Sequence, residues 1–135
     1  MELNPFLCTR FFVFEKGMNM KKIAILRCLK SNDVCTGASC LSALHNRKGS
    51  FAEYDDELQL VAFMTCNGCG DVALKNEKGM QEKLKMIERL APDALHVGVC
   101  TKCKDGTGIY RTCPQIETIL CEVRKMNIKI VDGTH

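Results

Sequence analysis

The chain has 135 residues, 46% of them hydrophobic, with a net charge of +3, ten cysteines and no tryptophan. That length suits one domain with a real core, so disulfides are not needed to replace one. The weak charge and low aromatic content argue against a nucleic-acid partner, which would want a basic patch or a base-stacking surface.

Residues 1–19 contain the apolar run "FLCTRFFVF", which Arg10 interrupts. The run is far too short to cross a membrane, and no small-residue cleavage site follows it. The segment, with Cys8, is expected to be an extension outside the core; an added edge strand over 11–14 is the competing reading. Patterned sequence begins near Met20. Residues 22–27, "KIAILR", form a continuous apolar run suited to a strand covered on both faces. A cysteine-rich loop follows, then a short helix over 39–49. Ser50 and Glu53 have capping-box spacing, so another helical turn is expected there. A second strand is expected over 58–64. Residues 77–91 carry Met80, Leu84, Ile87 and Ala91 at helical spacing, and Pro92 stops them. Residues 94–99 read as a third strand. Pro114 opens a helix with Ile116, Ile119, Leu120 and Val123 as its buried stripe. Residues 127–131 read as a fourth strand. Strands joined by such helices predict right-handed βαβ units. The expected fold is α/β, a small three-layer domain with about four parallel strands and flanking helices, spanning 20–135.

Ten cysteines in such a chain need a use. Strand–helix alternation and the lack of a signal peptide point to the cytoplasm, where clustered thiols serve as ligands or redox groups rather than structural bridges. On the expected sheet, Cys28 ends strand one. Cys66 and Cys69 follow strand two, and Cys100 and Cys103 follow strand three. His135 lies just past strand four. Those ends share one edge, where open α/β sheets bind ligands. Cys35, Cys40 and Cys113 sit in loops at the same end.

The Cys66–Cys69 spacing lets two sulfurs face one ion, and Gly68 permits the tight turn. Cys100 and Cys103 repeat it, so the two pairs are expected to complete a tetrahedral four-thiolate site of the zinc type. Cys28, Cys35, Cys40 and Cys113 form a possible second set. Cys121 is expected to be a packed structural thiol. His96 reads as a satisfied core residue and His45 as solvent-facing, while His135 is a ligand or a donor behind one. Clustered thiolates also suit an iron–sulfur cluster. The competing class is a thiol–disulfide protein using Cys66 and Cys69. No P-loop, dinucleotide fingerprint or Ser-His-Asp set is present, so no reaction is assigned. A protein or small-molecule partner is not identifiable from the residues.

The stretches "KKIAILRC" (21–28), "CTGASC" (35–40), "KGSFAEY" (48–54), "LVAFMTCNGC" (60–69), "RTCP" (111–114) and "IKIVDGTH" (128–135) together resemble the CGGC domain family. These are small bacterial and archaeal proteins named for a central Cys-Gly-Gly-Cys. The resemblance implies metal binding, with zinc the usual metal. Two positions depart from the pattern: Asn67 stands for the first glycine of the motif, and Gln115 stands where the resemblance places a histidine after "CP".

Overall fold

A computed structural model of the chain describes residues 20–135. The extension expected over 1–19, with Cys8, lies outside the described residues. The central sheet has four parallel strands: β1 (Met20–Arg27), β2 (Glu57–Thr65), β3 (Ala94–Val97) and β6 (Lys129–Asp132), in the order β2-β1-β3-β6. The helices are α1 (Ala38–His45), α2 (Asp71–Lys75), α3 (Glu77–Leu90) and α4 (Pro114–Lys125). The small α/β fold read from the sequence is present, with four parallel strands and helices on either side.

Strand alternation divides the core in two. Ala24, Leu26, Leu95 and Val97 face α3 and α4, where they meet Met80, Ile87 and the α4 stripe Ile116, Ile119, Leu120 and Val123. Ile23 and Ile25 face the other way and pack on Cys40, Ala43 and Leu44 of α1 and on Phe51. β1 is the central element of both clusters. Its last five residues are all buried, as a strand covered on both faces requires. Each such Ile or Leu stabilises the fold by about 1.5–3 kcal/mol.

β2 changes face part-way along. Leu58 and Leu60 lie in the α1 cluster, yet Ala62 and Met64 lie in the α3/α4 cluster. Strict alternation would keep all four on one side. The pairing with β1 slips at this point: Ile23 pairs with Leu60 and Ala24 with Ala62, leaving Val61 as a bulge. A bulge inserts one residue and so exchanges the faces beyond it. As a result Cys66, two residues past Met64, belongs to the α3/α4 cluster, where it is buried.

Three features differ from the expectations. The α1 helix ends at His45, short of 49, because Arg47 adopts φ 53 and breaks the helical path. The turn at Ser50 is only a 3-10 segment, Gly49–Phe51, without a side-chain cap. The segment after β3 is not simply a loop. It forms an antiparallel hairpin of β4 (Lys102–Lys104) and β5 (Tyr110–Thr112), whose turn is organised by Asp105. The Asp105 carboxylate accepts from the Thr107 hydroxyl and amide, the Ile109 amide and Arg111 Nε. Those bonds hold its carboxyl well below the usual range, with Thr107 and Arg111 the main causes.

Candidate functional site

The sheet continues past its strands as single backbone bonds. Cys66 N–H donates to Arg27 O at 2.9 Å, Gly98 N–H to Leu26 O at 2.9 Å, and Gly133 N–H to Val97 O at 2.8 Å. These bonds pin the C-terminal ends of all four parallel strands to one another. α1 covers one face while α3 and α4 cover the other, so the chain reverses direction across the sheet between β1 and β3. That crevice is where open α/β sheets place ligands.

A cleft of about 700 Å³ opens there. Six cysteines line it: Cys28 from the end of β1, Cys66 and Cys69 after β2, Cys100 and Cys103 around the start of the hairpin, and Cys113 before α4. Among the described residues, Lys30 and Lys102 are the charged residues of its wall, and neither a carboxylate nor a histidine lines it. Cys28 is at the centre. Its own N–H donates to Cys100 Sγ at 3.3 Å, and the next amide, Leu29 N–H, donates to Cys66 Sγ at 3.3 Å. Two successive amides therefore address two sulfurs from different strands. Burial pushes the Cys28 thiol up, the backbone at Lys30 opposes this, and the charges of Cys66 and Cys100 raise it further.

The Cys66–Cys69 turn is fixed from both sides. Gly68 has φ 98, and a Cβ there would stand 2.6 Å from Val72 Cγ1, so only glycine fits. Asn67 accepts from Lys83 Nζ at 2.7 Å and donates to Asn76 O at 3.3 Å, while Asn76 Nδ2 donates back to Asn67 O at 3.4 Å. Lys83 Nζ also donates to Thr65 O at 2.8 Å. Its burial lowers the ammonium's pKa, and the neighbouring Cys66 opposes that. The Lys-rich helix reads as a solvated face in the sequence, so this strut is not apparent there. The available signal is position: Lys83 flanks the Met80–Leu84–Ile87 stripe rather than lying opposite it.

The other expected site residues lie elsewhere. Cys35 and Cys40 are on the α1 side of the sheet. Cys35 Sγ accepts from Gly37 N–H at 3.3 Å, and buried Cys40 meets Thr134 Oγ1 at 3.3 Å. Cys28 and Cys113 thus join the two Cys-x-x-Cys pairs, and the set of Cys28, Cys35, Cys40 and Cys113 is divided between two faces. His135 is exposed beside α1, in a shallow depression with Lys48. His45 is exposed. His96 is fully buried, stacked on Phe51. Its Nδ1–H donates to Gly133 O at 3.0 Å, so Nε2 accepts from the Tyr54 hydroxyl at 2.8 Å. Cys121 corrects an expectation: it is exposed, not packed. At 3.6 residues per turn it lies about 140° round the helix from Ile116, opposite the stripe.

All nine cysteines among the described residues are free thiols. Among those residues, no three His, Cys, Asp or Glu side chains stand close enough together to hold an ion as placed. The cleft therefore has the donor chemistry of a thiolate site without its final convergence. An ion there would have to draw the sulfurs inward by side-chain rotation.

The CGGC domain family matches residues 22–135. The chain belongs to the CGGC domain family. A relative from Methanocaldococcus jannaschii, named Uncharacterized protein MJ0582, is 31% identical over 123 residues, covering 84% of this chain and 86% of its own. No solved structure matches the chain. No helix among the described residues is long and apolar enough to cross a membrane.

Proposed function

We propose that this CGGC protein binds a soft metal ion through cysteine thiolates in the cleft, with zinc as the ion. The observation that carries the reading is the convergence of six cysteines from four chain segments on one crevice at the strand ends. A wall with six thiols and, among the described residues, no carboxylate disfavours magnesium and calcium, which take oxygen ligands, and suits zinc, copper(I) or iron–sulfur clusters. Cys28, Cys66 and Cys100 form the inner group, since backbone amides at the Cys28 turn already serve the sulfurs of the other two. Cys69, Cys103 and Cys113 supply the remaining thiolates. The histidines His96 and His135 lie away from the cleft, so the zinc assignment rests on four-thiolate coordination and on the family rather than on mixed Cys/His ligation. A bound zinc would supply charge neutralisation and a tetrahedral cross-link between strand ends. The reducing cytoplasm would keep these thiols available.

The thiol–disulfide reading is less well supported. Exchange needs an accessible attacking sulfur, and Cys66 is 3% exposed. The helix after the motif, α2, has five residues and starts at Asp71, too short to lend Cys69 much of a dipole. Elemental analysis and absorption spectroscopy of anaerobically purified protein separate the readings. Colourless protein with stoichiometric zinc is the expected result. A broad visible band with iron and sulfide would replace zinc by a cluster, and metal-free protein with a reversible Cys66–Cys69 disulfide would overturn metal binding.

A further inference from the structure

The α1 face of the sheet carries a guanidinium with no ion-pair partner among the described residues. Arg27 ends β1 and, by strand alternation, points away from Cys28 toward α1. It is only 6% exposed. Its Nη2 donates to a neutral group, Cys35 O, at 3.3 Å, and its Cζ lies 5.0 Å from the centroid of the Phe63 ring. Among the described residues its Nε has no hydrogen-bond partner. Among the described residues no carboxylate forms an ion pair with it. A buried guanidinium without an anion is a standing electrostatic cost.

The guanidinium abuts the start of α1. Nη1 lies 3.4 Å from the position a Cβ would take on Gly37, which is the N-cap residue of α1 with φ 81. Gly37 offers no capping side chain, so the amides of Ser39 and Cys40 in the first turn lack the acceptor that Ser, Asp or Asn would give at that position. Ala38 and Ser39 are exposed and border a depression of about 380 Å³ that also takes in Ser42, Ala43, Lys48 and His135, so the outer side of the first turn is open to solvent while Gly37 and Cys40 are buried behind it. A cation with no ion-pair partner among the described residues is thus packed against the positive end of a helix, where the dipole makes its position worse. One small anion would relieve both.

We propose that Arg27 and the first turn of α1 form a binding site for a phosphate-type oxyanion, on the face of the sheet opposite the cysteine cleft. Arg27 supplies the charge and a donor, and the amides of Ser39 and Cys40 supply the directed hydrogen bonds that helix N-termini offer to such anions. The site is independent of metal binding.

The test is an NMR titration of the full-length protein with inorganic phosphate and, separately, with glycerol 3-phosphate. Saturable shifts confined to the amides of Gly37, Ala38, Ser39 and Cys40 are expected. Arg27→Met should weaken the binding at least about tenfold, because a charge-assisted bond is lost. Should that variant fail to fold, Ser39→Asp places a carboxylate in the exposed first turn and should block phosphate while keeping the fold. A monoester that binds as well as free phosphate assigns the site to a larger phosphorylated ligand, and exclusion of the monoester assigns it to the free anion; both support the site. Non-saturating shifts scattered over surface lysines, or unchanged affinity in folded variants, would overturn it.

Discussion

At Asn67 a single side chain ties the Cys66–Cys69 turn to α3, by bonds from Lys83 and to Asn76. A glycine at this position would give the turn its freedom but leave Lys83 with one acceptor, Thr65 O. Asn67→Ala should therefore lower stability by about 1.5–3 kcal/mol, the worth of a hydrogen bond from a charged donor, read from urea unfolding. His96 makes a different kind of prediction. Burial lowers its pKa, the bond to Gly133 opposes this, and Lys129 lowers it further. A depressed histidine pKa means the unfolded chain takes up the proton first. The stability held by neutral His96 is thus complete above about pH 6.5 and drains away as pH falls toward the lower folded value. Unfolding free energies measured between pH 7.5 and 5 should fall with pH in the native protein and flatten in His96→Phe. An identical slope in both would show that His96 is not the titrating group. Cys121 makes the opposite case: being exposed, Cys121→Ser should change stability by no more than about 0.5 kcal/mol.

Elements were legible in the sequence where one periodicity ran without interruption. The α4 stripe repeats at helical spacing and Pro114 marks its start, so all four of its apolar residues proved to be core. The β1 run is apolar throughout because helices cover both its faces. The bulge at Val61 was not legible, since it leaves an apolar run apolar and only its partner strand reveals the slip. Nor was the β4–β5 hairpin, whose strands have three residues each, too few for alternation to register. Its stability is local and held by Asp105. Asp105→Asn should speed hydrogen exchange at the Ile109 amide and leave global unfolding nearly unchanged. The α3 helix is the reverse case. Ile87 is 1% exposed in the larger core cluster, so Ile87→Ala should cost about 2–5 kcal/mol in global stability.

For the whole molecule, the parallel sheet explains how cysteines distant in sequence reach one place. Strand ends gather at one edge, which was predictable from the order of strands and helices alone. Which side of that edge each cysteine takes was not predictable. Arg27 and Cys28 are neighbours in sequence but serve opposite faces, and the α1 face claims Cys35 and Cys40 while the cleft claims Cys113. This division separates the cysteines of the cleft from those of the α1 face, and metal retention reads it most directly. Native protein, Cys66→Ser, Cys100→Ser and Cys40→Ser should be purified anaerobically and their metal content measured per folded chain. Stoichiometric metal is expected in the native protein and in Cys40→Ser. Severe loss is expected in Cys66→Ser and Cys100→Ser, with a lower Tm wherever metal is lost. Full metal in folded Cys66→Ser and Cys100→Ser, or loss in Cys40→Ser alone, would contradict this division.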